Sequence, residues 1–173
     1  PKSCGAMVAM KLGWALCEEY RGSGLSDKQC RDLLLISTDF ASLGTVADVM
    51  PLTGENRSLI SYGLNSLRLS SLPGIRALMN AAGLSGKPLD TFDLSFRISP
   101  MLNAAGRMGH ARLAVELLTT DNDIRALRIA EYLKEQNNQR KKIEKRILKE
   151  ASHLISATGL DHPDRRSIII AGE

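Results

Sequence analysis

Asp48 sits in an otherwise apolar run directly after a Gly-Thr pair, in the string GTVADVMPLTGENR at residues 44–57. A carboxylate in such a run has to be hydrogen-bonded, ion-paired or metal-bound, because burying it bare is costly. Spacing alone leaves two readings, a cap at a helix end or turn and a metal ligand. Asn56 and Arg57 close the string as an ordinary cap and a surface cation. A second string, NAAGR at residues 103–107, sets small residues before Arg107. Small residues let a backbone come close to something, and a guanidinium is a planar, bidentate donor suited to phosphate. Tight helix packing plus a salt bridge accounts for the same string equally well.

A run of cations follows later, Arg140, Lys141, Lys142, Lys145, Arg146 and Lys149, with Glu144 and Glu150 interspersed. It reads either as a solvated helix face or as a groove lining that tracks a nucleic-acid strand. His110, His153 and His162 are scattered and adjoin no second ligand at metal spacing, so surface or helix-end roles are expected. Cys4, Cys17 and Cys30 form an odd set without C-x-x-C spacing; they read as buried thiols without redox work, in a reducing cytoplasm. Trp14 and Met10 read as core. Aromatic residues make up 4% of the chain, so no base-stacking platform is evident.

These residues have to be positioned mostly by helices. The stretch CGAMVAMKLGWAL is apolar on nearly every face, which predicts a helix buried between other elements. Ser26 can cap a helix running toward Leu43, where Gly44 and Thr45 interrupt it and a short apolar piece follows up to Pro51. Pro73 suits the first turn of another helix and Gly83 its stop. Thr91 is the expected cap of a short element ending near Ile98, Pro100 opens the segment containing Asn103, and a helix around residues 111–118 comes next. Asp121 or Asp123 then caps a long helix reaching about Ile155. Its apolar residues form two stripes, Ile124, Leu127, Ala130 and Leu133, then Ile143, Ile147, Ala151 and Leu154. Residues 134–142 between them are all polar. A helix with no core to face at its centre suits a connector between domains, about 50 Å long at 1.5 Å per residue; a coiled-coil arm is the alternative. Last, Ile168, Ile169 and Ile170 form a strand-type run with almost no partner strand elsewhere.

The 173 residues are 43% hydrophobic and 24% charged, which argues against disorder. The net charge of +4 and pI near 9.1 lean toward a polyanionic partner without establishing one. No apolar run has the length of a membrane span, and no membrane partner is expected. Because the first helix and the last strand both lack neighbours, the chain reads as an internal segment of a longer protein.

Three strings in order, GTVADVMPLTGENR, FRISPMLNAAGRMG at residues 96–109, and the helix pattern Leu133, Asn137, Arg140, resemble the DHH phosphoesterase family, and within it the single-strand-specific 5′→3′ exonucleases. The opening CGAMVAMKL resembles the helix after the DHH motif, and IIIAGE the strand before the C-terminal DHH-associated domain. The resemblance implies a mainly α segment: the helical second half of an α/β DHH core (residues 1–120), a connecting helix (121–158) and the first strand of the C-terminal domain (159–173). It further implies a metal-dependent hydrolase of single-stranded DNA acting in repair and recombination, with a pair of Mn2+ or Mg2+ ions. Asp48 matches the Asp of the family's Gly-Thr-x-x-Asp motif and becomes the expected metal ligand and catalytic residue. Arg107, Asn103 and Arg57 become expected phosphate contacts, and Arg140, Lys141, Lys142 and Lys145 weaker nucleic-acid contacts. The other ligands have no counterpart here, so the segment alone is expected to be inactive. Single-strand-binding protein or a helicase are the expected protein partners. The chain departs from the family at Met101, where an arginine is usual. The alternatives are a relative acting on oligonucleotides or cyclic dinucleotides, and a non-catalytic scaffold.

Overall fold

The structure, a computed structural model, describes residues 2–107, 111–160, 162, 164 and 166–171, except the side chain of Arg107. Regular structure among them is helical. The elements are α1 (Gly5–Tyr20), α2 (Asp27–Ala47), α3 (Glu55–Leu69), α4 (Pro73–Ala81), α5 (Thr91–Asp93), a π-helical turn (Leu94–Ile98), α6 (Ser99–Arg107), α7 (Ala111–Thr119) and α8 (Asp123–Thr158). No strand forms among the described residues beyond an isolated bridge between Arg21 and Leu25. The isoleucine run at residues 168–170 stays irregular, since no described segment offers it a ladder.

Several helix ends follow from local chemistry. Ser26 and Gln29 form a capping box at the start of α2, and Pro73 occupies the first turn of α4. Gly83 takes a positive φ of 71° just past the end of α4. Two caps differ from expectation by a residue. Asp90, not Thr91, caps α5 through a box with Asp93, and Asn122, not Asp121 or Asp123, caps α8 by accepting the Arg125 N–H. In each case the residue with extended backbone just ahead of the helix takes the role, because only there does the side-chain oxygen reach the free N–H groups.

The helix expected to open at Pro100 instead runs on from Thr91. Pro100 has no N–H to give the carbonyl four residues back. The chain widens by one residue there, and Ser99 N–H bonds the Leu94 carbonyl.

The main core lies between α3, α4, the π turn, α6, α7 and the first half of α8, with Leu67, Leu78, Ile98, Leu117 and Leu133 fully buried. At Gly74 the backbone of α4 touches α7; a Cβ there would overlap the Leu117 carbonyl oxygen. The start of α8 is tied to α7 by a two-pronged Arg125–Glu116 pair (2.5 and 3.0 Å) and to α4 by Arg76–Asp123 at 2.5 Å.

Two packing expectations change. The first helix is not buried all round: α1 packs on α2 through Met7 and Cys17, while Val8, Leu12, Leu16 and Trp14 are exposed, Trp14 by 54%. Met10 does contribute to a small second cluster with Cys4, Met7, Ala41 and Leu59. The polar centre of α8 does face something: Asn137 is buried and Arg140 half-buried where α8 crosses α6. The second apolar stripe, by contrast, has no buried residue. All three cysteines are buried free thiols, as expected; His153 and His162 are exposed, and His110 lies outside the described residues.

The buried carboxyl of Asp39 on α2 had no signal in the sequence pattern. Ser70 Oγ donates to its Oδ2 at 2.9 Å. Burial pushes its pKa above the ordinary carboxylate value, partly offset by the Ser66 and Ser70 hydroxyls. The folded state therefore holds the proton more tightly than the unfolded one. This stability is full below the unfolded pKa of about 4 and is lost as pH rises through the higher folded value. Asp39→Asn removes that slope: urea midpoints of the parent decline relative to the variant's from about pH 4 upward, and parallel profiles would refute the assignment.

Candidate functional site

The Gly-Thr pair of the first motif does not interrupt α2; both residues lie in its last turns. Propensity predicts a break at Gly44, but tertiary contact overrides it. A Cβ on Gly44 would come within 2.7 Å of the Ala6 Cβ, so glycine is what lets the first turn of α1 cross there. Thr45 is fully buried, with Oγ1 3.4 Å from Cys4 Sγ. That sulfur also accepts the Met7 N–H at the start of α1.

Asp48 ends α2 as its C-cap, with its backbone N–H on the Gly44 carbonyl at 2.9 Å. Its side chain is exposed. The two residues after it close the helix reciprocally, Val49 N–H to the Val46 carbonyl and Met50 N–H to the Thr45 carbonyl, both 3.1 Å. The closure requires a left-handed residue, and it is Val49, at φ 53° and 87% exposed. A β-branched side chain in this region is unusual and costs about 1–2 kcal/mol. A carboxylate at a helix C-terminus also adds negative charge to the negative pole of the helix dipole, which makes the spot attractive to a cation.

Asn56 is buried in the first turn of α3, not a cap; the N-cap is Gly54. Its Nδ2 donates to the carbonyls of Lys2 (2.7 Å) and Pro51 (2.9 Å). Arg57 beside it is exposed and forms no ion pair among the described residues. Lys11 of α1 reaches Glu55 at 2.6 Å, a further tie between α1 and the start of α3.

The second string forms most of α6. Ala104 and Ala105 are buried, as close packing requires, and Met101 is buried in the main core, where an apolar side chain is at home. Asn103 is exposed and lines a cleft of about 170 Å³ with Pro100, Ala104 and Arg140. Arg140 is held there by Asn137 Oδ1 (3.2 Å) and Glu144 (2.9 Å). The structure thus brings together Asn103 and Arg140, which the sequence pattern places on separate motifs. Arg107 ends α6, and its side chain lies outside the described residues.

Beyond Arg140 the helix is exposed. Arg146 faces Glu150 at 3.6 Å, whereas Lys141, Lys142, Lys145 and Lys149 form no ion pair among the described residues. At 100° per residue, Lys142, Lys145, Arg146 and Lys149 share one face, opposite Ile143, Ile147, Ala151 and Leu154. Phe92 and Phe96 are both exposed, with ring centroids 4.6 Å apart. Their spacing of four residues on one helical stretch was the signal for this pair; the low aromatic content hid it. Among the described residues no three His, Cys, Asp or Glu side chains converge as a metal-binding group. Asp48 therefore stands as a single hard oxygen donor, of the kind manganese and magnesium prefer.

No family model matches the chain. It is 38% identical over 149 residues to the single-stranded-DNA-specific exonuclease RecJ of Dickeya dadantii, and 41% identical over 150 residues to that of Escherichia coli. These alignments cover 86% and 85% of this chain. Its backbone superposes on the crystal structure of RecJ in complex with Mn2+ from Thermus thermophilus with a TM-score of 0.75, at 38% identity over 87% of this chain. The chain is RecJ-like. It spans a fifth to a quarter of the length of the curated relatives it matches, 25% and 26% for the two named, and 21% of the Mn2+-bound chain. A Mg2+ complex of the same Thermus RecJ matches with a TM-score of 0.73, at 38% identity over 84% of this chain and 22% of that one. The helical character expected from the family resemblance is therefore that of a RecJ structure. In this RecJ-like chain the strain at Val49 has a direct check: Val49→Gly raises stability to urea by about 1 kcal/mol. No gain, or a loss, would mean that the left-handed turn is relaxed with valine in place.

Proposed function

We propose that the chain belongs to a metal-dependent 5′→3′ exonuclease that hydrolyses phosphodiester bonds of single-stranded DNA in cytoplasmic DNA repair and recombination. The observation that carries this reading is the match, in sequence and backbone, to Mn2+-bound RecJ, together with an exposed carboxylate at the C-terminus of α2. In this reading residues 1–120 are the helical part of the catalytic core, 121–158 the connecting helix and 159–173 the start of the next domain. Asp48 is the metal ligand that this chain supplies. A bound pair of Mn2+ or Mg2+ ions supplies an activated water and neutralises charge on the attacked phosphodiester.

The chain's own residues then bind and orient the strand. Arg107, Asn103 and Arg57 contact phosphate, with the Asn103 cleft shared by Arg140. Lys141, Lys142 and Lys145 add weaker, sequence-independent attraction, supported by their exposure and freedom from ion pairs among the described residues. Single-strand-binding protein or a helicase would deliver the substrate.

Asp48→Ala in the full-length enzyme carrying this segment abolishes Mn2+-dependent digestion of 5′-phosphorylated single strands with the fold intact by circular dichroism; retained digestion overturns the ligand assignment. The isolated chain is inactive, because one ligand cannot hold two metals. Preference for short RNA or cyclic dinucleotides over long single strands would move the enzyme to another branch of the family. Replacing Lys142 and Lys145 with Gln lowers the salt dependence of single-strand affinity by about 1.4 in log–log slope, at roughly 0.7 for each phosphate no longer neutralised. An unchanged slope leaves these lysines a role in solvation alone.

A further inference from the structure

The loop between α2 and α3 carries Asp48 at one end and a buried amide at the other. Its first turn is fixed by the reciprocal bonds of Val49 and Met50 to α2, which hold Val49 in a left-handed conformation. Beyond that turn, residues 51–54 are exposed. The loop's hold on the protein body at Pro51 is the Asn56 side chain. Asn56 is 4% exposed, and a single Nδ2 donates to Pro51 O and to Lys2 O at 2.9 and 2.7 Å. Lys2 precedes Cys4, whose sulfur lies 3.4 Å from Thr45 on the last turns of α2. A ring of contacts is thereby closed: α2 to Cys4, through Lys2 to Asn56, to Pro51, and back along the loop to Asp48.

We propose that Asn56 is a positioning residue for Asp48, setting the direction of its carboxylate by clamping the strained loop against the segment before α1. This rests on the reading of Asp48 as a metal ligand. An amide is the right group for the task, because its two N–H bonds serve two carbonyls at once, which neither a carboxylate nor an apolar side chain of this size does. Loss of the clamp leaves two carbonyls short of a donor and frees the loop from Pro51 onward to shift against the turn that carries Asp48. The carboxylate would then keep its charge and lose its direction.

The test is Mn2+ binding to the full-length enzyme by isothermal titration calorimetry, beside kinetics across Mn2+ concentrations. Asn56→Ala is expected to raise the Mn2+ dissociation constant at least about tenfold, the range seen when outer groups orienting a ligand are removed. Saturating Mn2+ restores kcat, and KM for single strands stays unchanged. Asn56→Ser, which keeps a donor but cannot reach both carbonyls, shows the same shift in smaller measure and keeps the test open if Asn56→Ala does not fold. Unchanged Mn2+ affinity in a folded Asn56 variant, where Asp48→Ala does weaken it, overturns the positioning role alone. Unchanged affinity in Asp48→Ala overturns the ligand reading on which it stands.

Discussion

The close crossing of α1 over α2 at Gly44 is the contact on which the Asp48 region depends. With no side chain at Gly44, the first turn of α1 comes down onto α2. That approach brings Cys4 to Thr45, and the residues before it to Asn56. The small cluster of Cys4, Met7, Ala41 and Leu59 forms beneath. A larger residue at 44 would lift α1 and with it every one of these contacts. The glycine and threonine of the motif are thus packing residues that make a platform for the aspartate three residues on.

The other half of the molecule is organised by α8. Its first half is the member that α4, α6 and α7 all touch, and Arg125 and Asp123 fasten it by ion pairs. These pairs are substantially exposed, so the apolar contacts of Ala126, Ile129, Ala130 and Leu133 carry most of the attachment. The core gives way at Asn137 and Arg140, where a buried amide holds a half-buried guanidinium that lines the cleft with Asn103 of α6. A polar end to a hydrophobic interface leaves hydrogen-bonding groups at its rim, and the cleft of the second motif opens there.

The parts of this fold that were legible in the sequence are those decided within a few residues. Ser26, Pro73 and Gly83 do what their chemistry at helix ends dictates, and the three cysteines are buried as small apolar groups are. The parts decided by distant contacts were not. Gly44 reads as a break until α1 is laid on it. Residues 134–142 read as solvated until the fold buries Asn137 and sets Arg140 beside Asn103. The exposure of α1 on one face is a matter of what else packs there, which no periodicity in α1 records. At the site, Asp48 stood out because an acid in an apolar run demands explanation, and the family resemblance sharpened that demand. Asn56 looked like a cap, since its two carbonyl partners lie in a loop and in the segment before α1, which only the fold brings together.

The exposed half of α8 has a mechanical consequence. The eighteen residues from 141 to 158 form one unbroken rod, about 27 Å long at 1.5 Å per residue. The last buried residue of α8 before it is Asn137. A tilt of about 10° there sweeps the far end through roughly 5 Å, comparable to one helical turn. The direction in which the exposed lysines point is therefore set by how the first half of α8 packs on α4, α6 and α7.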